Sequence, residues 1–334
     1  MKTTDGGEYG MLRVIALTWL ALWTTSSAAQ PAAWKPEKTV EIVVPSGPGG
    51  GTDRMGRLIQ KIWQERRLLE VPVVVVNKPG GGGSVSLTYL QQHSGDAHYL
   101  QAVSAVLLTN HIVGRSKFSH TEFTPIALLN SEYVALAVKS DSPFKSLKDL
   151  MASLQKDATA VSIAVGTSLG GANHIAAAAV ARAAGADARK LRTVVFKSSA
   201  ESAVAALGGH VDIMASSASL VLPHLRSGAM KILAVSAPKR QSADLAPVQT
   251  LKELGIDAVV DNFRLMIGAS GMSAEQIAYW DQVMARLAQD DEWKKDLENN
   301  LWENTYMSSR DTRNYLDKQY ADLKAVLVEL GLAK

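Results

Sequence analysis

Apolar and polar positions along this chain alternate between two periods. Short apolar runs rich in β-branched residues read as strands at 39–44 (TVEIVV), 71–77 (VPVVVVN), 99–105, 133–139, 161–166, 191–197, 211–216 and 231–237. Between them the period lengthens to that of a helix at 53–67, 85–93, 146–156 and 172–185. A strand–turn–helix rhythm of this kind predicts parallel sheets covered by helices, here in two α/β sets. The last quarter is helical. Ser273 with Gln276 forms a capping box for a helix over 274–289, and a final helix over 310–330 ends at Gly331.

The turns after several strands share one composition. They are SGPGGGTD (46–53), KPGGGGS (78–84), GTSLGGANH (166–174) and KSSAES (197–202). A helix N-terminus offers unpaired N–H groups and the positive end of the helix dipole. Glycine lets a ligand approach that backbone closely. Several such turns facing one cleft would suit an anion with more than one charged group.

Composition narrows the chemistry. The chain has 334 residues, 47% of them hydrophobic, and a net charge of +3, with no basic run that would face nucleic acid. It has no cysteine, hence no disulfide, thiolate metal site or lipid-anchor cysteine. Arg13, the apolar run 14–23 and the small residues Ser27 and Ala29 form a secretory signal with cleavage after Ala29. Asp5 and Glu8 do not suit a signal's start, so Met11 is the expected initiator. Cleavage removes Lys2, Arg13, Asp5 and Glu8 and leaves the charge at +3. A free protein of a Gram-negative periplasm is expected, with no membrane insertion after cleavage.

Nucleotide motifs fail. No Gly-Lys-Ser/Thr occurs, and the dinucleotide pattern begun by Gly47 and Gly49 has Thr52 at its third position. No cofactor and no metal are expected. His93 and His98 flank a Gly-Asp turn and read as solvated loop. GTSLG (166–170) matches a nucleophile elbow with Ser168 as nucleophile. That fold needs a late histidine, and none follows His224; Asp212 and His224 are the poor remaining partners. Asp53 either caps its helix or meets ligand. Lys197 and Arg264 are candidate counter-charges or ordinary surface cations.

Taken in order, WKPEKTVEIVVPSGPGGGTDRMGR (34–57), VVVVNKPGGGGSV (73–85), GTSLGGANHIA (166–176), VVFKSSAESAVAALGGHVDIM (194–214) and APVQTLKELG (246–255) resemble the Bug proteins. These are the extracytoplasmic solute receptors of tripartite tricarboxylate transporters. The resemblance covers nearly all of the chain after residue 33. It implies a type II periplasmic-binding-protein fold, two α/β lobes joined by two crossing strands near 126–139 and 258–269, with a ligand cleft between them. Lobe one would comprise 34–131 plus 262–334, and lobe two 132–261.

The resemblance also implies a monomer that binds a small organic carboxylate, a di- or tricarboxylate or an aromatic acid, and hands it to membrane transporter subunits. Carried over, Pro48, Gly49, Gly50, Gly51, Thr52 and Asp53, with Gly81, Gly82, Gly83 and Ser84, would form one wall. Ser168, Leu169, Gly170, Gly171, Asn173 and His174, with Ser198 and Ser216, would form the other. Gly171 stands where many members carry Ser or Thr, Phe263 where Trp is common, and MIGASG replaces a stretch usually containing Gly-Pro. Two other readings remain at this point: a receptor presenting its ligand to a sensor kinase, and a serine hydrolase using Ser168.

Overall fold

The computed structural model describes residues 34–334 except Gly50, Thr167, Ser168, Lys197 and Ser242. The signal segment and Met11 lie outside the described residues.

The first half of the chain alternates as its pattern demands. The elements are β1 (Val40–Val44), α1 (Gly51–Glu65), β2 (Val73–Asn77), α2 (Ser84–Gln91), β3 (Tyr99–Ser104), α3 (Val106–Ile112) and β4 (Thr124–Ser131). After β4 come β5 (Val134–Lys139), α4 (Leu147–Lys156), β6 (Ser162–Gly166), α5 (Ala172–Ala183), β7 (Arg192–Phe196), α6 (Ser199–Leu207), β8 (Ile213–Ser217), α7 (Ala218–Arg226) and β9 (Met230–Val235). The chain ends with β10 (Arg264–Gly268), α8 (Ala274–Gln289), α9 (Asp291–Asn299), β11 (Glu303–Met307) and α10 (Ser309–Glu329).

Two sheets result. The first has the order β11-β4-β10-β3-β1-β2, the second β7-β6-β8-β5-β9. In each, a strand flanked by two parallel neighbours sits beside an antiparallel strand. β1 lies between β2 and β3, with β10 antiparallel to β3. β6 lies between β7 and β8, with β5 antiparallel to β8. Strand order therefore reverses at β1 and again at β6, and these are the switch points where open α/β sheets leave a crevice. The glycine turns after β1 and β6 occupy both.

Only Glu132 and Tyr133 separate β4 in the first sheet from β5 in the second. The return passage runs through 260–263. The two passages are hydrogen-bonded to each other, through Asn262 N–H to Glu132 C=O at 2.8 Å and a Tyr133–Asp261 bridge. The core is split to match. Trp63, Trp280 and Trp293 are fully buried with β1 on one face of the first sheet, and Phe263, Leu265 and Leu316 pack on the other. Alanine-rich α5 lies close against the second sheet with Ile163 and Val165. α10 spans both: Leu316 packs with the first sheet, whereas Leu327 and Leu330 join the core of the second.

Several predicted bounds shift by a residue or two. The capping box of Ser273 and Gln276 and the positive φ of Gly331 appear as the pattern implies.

Candidate functional site

β1 and β2 are parallel neighbours, with Val44 opposite Asn77, so the helices that follow them start at the same edge of the sheet. At that edge lies a cavity of about 490 Å³. Pro45, Ser46 and Thr52 come from the end of β1 and the start of α1, and Gly80, Gly82 and Gly83 from the turn before α2. Gln101, Val103 and Ser104 supply the end of β3, and Asn110 and Arg115 the α3 side. Among the described residues that line it none is acidic and one is an arginine. Two helix N-termini and a guanidinium give the space a positive potential.

Each glycine turn is fixed by one buried polar side chain. Asp53 Oδ2 accepts from Gly49 N–H and Arg57 Nε, each at 2.9 Å, and Oδ1 accepts from Asn77 Nδ2 at 2.8 Å. Burial pushes the Asp53 carboxyl up, but hydrogen bonds from Arg57, Asn77 and Gly49 outweigh it and hold the group below the usual carboxylate range. At the second turn Asn110 Nδ2 donates to Gly82 C=O at 2.6 Å. Ser86 Oγ donates to Gly83 C=O, and Gln101 Nε2 donates to Ser86 Oγ, both at 2.8 Å. Gly82 has φ +63°, and a Cβ there would stand 2.7 Å from Asn110 Nδ2, so both backbone and space require glycine. At the third turn, Gly170 N–H donates to His174 Nδ1 at 3.1 Å.

A family model described as "Tripartite tricarboxylate transporter family receptor" (TctC) matches residues 57–332. The chain belongs to this family. Protein BugT of Bordetella pertussis is 28% identical over 254 residues, covering 73% of this chain and 74% of BugT. Among solved structures, MatC of Rhodopseudomonas palustris with bound malate is similar at 21% identity and TM-score 0.75, over 87% of this chain and 99% of MatC. A second R. palustris protein, solved with adipate, is similar at 22% and TM-score 0.79, over 89% and 99%. The likeness to these two is one of fold, that of the periplasmic binding proteins. The family consists of solute-binding receptors, not enzymes.

Within this TctC-type receptor the cavity gathers Thr52, Gly82 and Gly83 from the expected residues. Pro48, Gly49 and Gly81 are exposed beside it, and Gly51 and Ser84 are half-buried at the starts of α1 and α2. Gly50 and Ser168 lie outside the described residues, as does Lys197. Asp53 is 2% exposed with both carboxylate oxygens engaged inside its turn, which makes it a brace for the loop. None of the described residues expected on the other wall lines this cavity. Gly170 and Gly171 are buried against other groups, with Val113, Leu327 and Leu332 around Gly170. Leu169 C=O accepts from Arg115 Nη1 at 3.1 Å, which ties that turn to the cavity's rim. Asn173 is half-buried on α5. His174 faces the turn, and burial pushes its imidazole below the usual range, keeping it neutral as an acceptor. Ser198 caps α6 by accepting from Glu201 N–H at 3.2 Å. Ser216 is fully buried on β8 with its hydroxyl unpartnered.

Arg264 is not a surface cation but 6% exposed. His98 is not a solvated loop residue: its side chain is 12% exposed and its Nδ1 lies 2.6 Å from Asp96 Oδ1. Asp212 is bound to Ser162 N–H and Oγ, at 2.8 and 2.6 Å. Gln101, Asn110 and Arg115 were not singled out from sequence. A glutamine inside the apolar strand YLQAVS was the one available signal, because a buried polar side chain requires a partner.

Proposed function

We propose that this receptor captures a small organic carboxylate, a di- or tricarboxylate or an aromatic acid, and delivers it to the membrane subunits of a tripartite tricarboxylate-type transporter. The observation that carries the reading is the 490 Å³ cavity at the converging starts of α1 and α2, with no acidic residue among the described residues that line it. Its size falls within the roughly 300–1,000 Å³ of small-molecule sites. Backbone N–H groups of the two turns receive the anion, helped by the hydroxyls of Ser46, Thr52 and Ser84. The malate and adipate held by two proteins of the same fold support this ligand class.

The lobes are 34–131 plus 262–334 and 132–261. The second closes over the ligand by bending at Glu132–Tyr133 and 260–263, bringing Leu169–His174, Ser198 and Ser216 toward the first. Closure follows from tighter binding to the closed state, and that state is the one the transporter reads. The protein works in the periplasm as a monomer, after removal of residues 1–29. Among the described residues no helix is long and apolar enough to cross a membrane, which is compatible with that placement.

A thermal-shift screen of di- and tricarboxylates, aromatic acids and their amides tests the reading, followed by calorimetry on the hits. Stabilisation by carboxylates but not amides is the expected result. A protein stabilised only by neutral solutes would refute it.

A further inference from the structure

Arg264 is the first residue of β10, directly after the return passage between the sheets. Its side chain is held on three sides. Nη2 donates to Glu132 Oε2 at 2.5 Å, and the pair is almost wholly enclosed, at 8% and 1% side-chain exposure. The guanidinium carbon stands 4.3 Å from the centre of the Trp302 ring. The flat group also lies against the start of α1, where a Cβ on Gly51 would meet Nη2 at 2.7 Å and Nε at 3.1 Å. Glu132 in turn accepts from Ser219 Oγ in the first turn of α7. One ion pair thus touches the glycine turn of the first lobe, the crossing and the second lobe.

This arrangement leaves buried polar atoms unanswered. Arg264 Nη1 is buried without a hydrogen-bond partner. The same is true of Trp302 Nε1 and of both amide atoms of Asn130. Asn130 is opposite Arg264 in β4 and Ser104 is opposite it in β3, so the three side chains share one face. Ser104 lines the cavity. A buried donor without an acceptor costs about 1–3 kcal/mol, and more when charged. Glu132 engages only Nη2, so it orients the guanidinium and leaves the Nη1 edge for another acceptor.

We propose that Arg264 is the charged contact for a second ligand carboxylate, with Nη1 and the Asn130 amide donating to it beside the start of α1. The inference rests on the carboxylate reading above and sharpens it: this receptor selects dianions. One carboxylate sits at the turn before α2, and the other passes Ser104, which lines the cavity, to reach Arg264, which lies behind that lining. Glu132 and Trp302 are positioning residues for the guanidinium. Because Glu132 also binds Ser219, ligand charge at Arg264 is felt by the second lobe.

The test compares succinate and adipate with their monoamides by calorimetry on the purified protein. The monoamides keep length and shape and remove one charge. At least one dianion is expected to bind about thirtyfold or more tightly than its monoamide. Arg264→Gln should bring that ratio to within about threefold while changing monoamide affinity by less than about threefold. A merely structural role would weaken both ligands alike. Since Arg264→Gln leaves Glu132 buried without its cation, the double variant Glu132→Gln, Arg264→Gln is measured beside it, with melting curves to show that each is folded. It should lose the same selectivity. If the unaltered protein binds carboxylates and monoamides equally, or a folded variant keeps the full ratio, only ordered water meets Nη1 and this inference falls alone. If none of the four probes binds, the inference falls together with the carboxylate reading for these chain lengths.

Discussion

Gly170 N–H donates to His174 Nδ1 at 3.1 Å, and the ring that accepts it is 6% exposed. The bond spans four residues and closes the turn between β6 and α5. It has counterparts beside the first sheet, where Asp53 accepts from Gly49 N–H and Asn110 donates to Gly82 C=O. Glycine makes these turns open to a ligand but flexible, and each is stiffened by a single side chain from a rigid element. Holding the N–H groups in place before the ligand arrives reduces the ordering cost of binding.

The His174 brace works only when the ring is neutral. Burial lowers its folded pKa below the ordinary 6.5. The unfolded chain therefore binds the proton more readily, and the stabilisation is complete above about pH 6.5 and lost as pH falls from there through the lower folded value. His174→Asn keeps an acceptor near the Nδ1 position and does not titrate, so it should flatten this part of the pH profile. His174→Leu leaves Gly170 N–H buried and unpaired, at a cost of about 1–3 kcal/mol. Denaturant melts from pH 8 to 5 measure both.

Asp53 should be irreplaceable by its amide. Both of its oxygens accept hydrogen bonds, from Gly49 and Arg57 on one side and Asn77 on the other. Whichever oxygen becomes an NH₂ group meets a donor. Asp53→Asn and Asp53→Ala are each expected to cost about 2–3 kcal/mol and to weaken carboxylate binding through a loosened first turn. Its depressed pKa places the matching acid loss lower, as pH falls below the ordinary 3.8. Chemical denaturation with parallel calorimetry separates the stability loss from the affinity loss.

Gly82→Ala tests the second turn. The φ of +63° costs a side chain about 1–2 kcal/mol, and the new Cβ displaces Asn110 Nδ2. With the Asn110 bond lost as well, stability should fall by about 2–4 kcal/mol, while carboxylate affinity falls at least tenfold, because the disturbed turn lines the cavity. Unchanged affinity in calorimetry would remove this turn from the site.

Much of this was legible along the chain. Strand and helix periods, together with the glycine turns, located β1, β2, β6, α1, α2 and α5, because each is specified by its own residues. The return strand β10 was harder to place. RLMIG is apolar at every position except Arg264, and its neighbours β3 and β4 lie more than a hundred residues upstream. The short α3 and α7, and β11 with its polar sequence ENTYM, carry too weak a pattern to stand out. The same limit applies to the site. Turn glycines are visible locally, but that Asn110 reaches Gly82, or that Glu132 and Arg264 meet across 132 residues, is a product of the sheet order.

Asp261 on the return passage provides an opposite pH dependence to that of His174. It accepts from Ser131 Oγ at 2.7 Å and Tyr315 OH at 2.9 Å, with Glu303 nearby through Tyr133. Burial raises its carboxyl to about 6, against the pull of those hydroxyls. A raised folded pKa means that the folded state holds the proton more strongly, so stability falls as pH rises from about 4 to above 6. The windows of Asp261 and His174 overlap with opposite signs, and the unaltered protein should show a shallow profile between pH 5 and 7. Asp261→Asn keeps an oxygen for Ser131 and Tyr315 and removes the buried charge. It should raise stability at pH 8 by up to roughly 3 kcal/mol, with the gain vanishing toward pH 4. In that variant only the His174 dependence remains in this range, so its stability should drop steeply on acidification. Urea titrations of both proteins across this range check the prediction. Parallel profiles would mean that Asp261 stays ionised at the crossing.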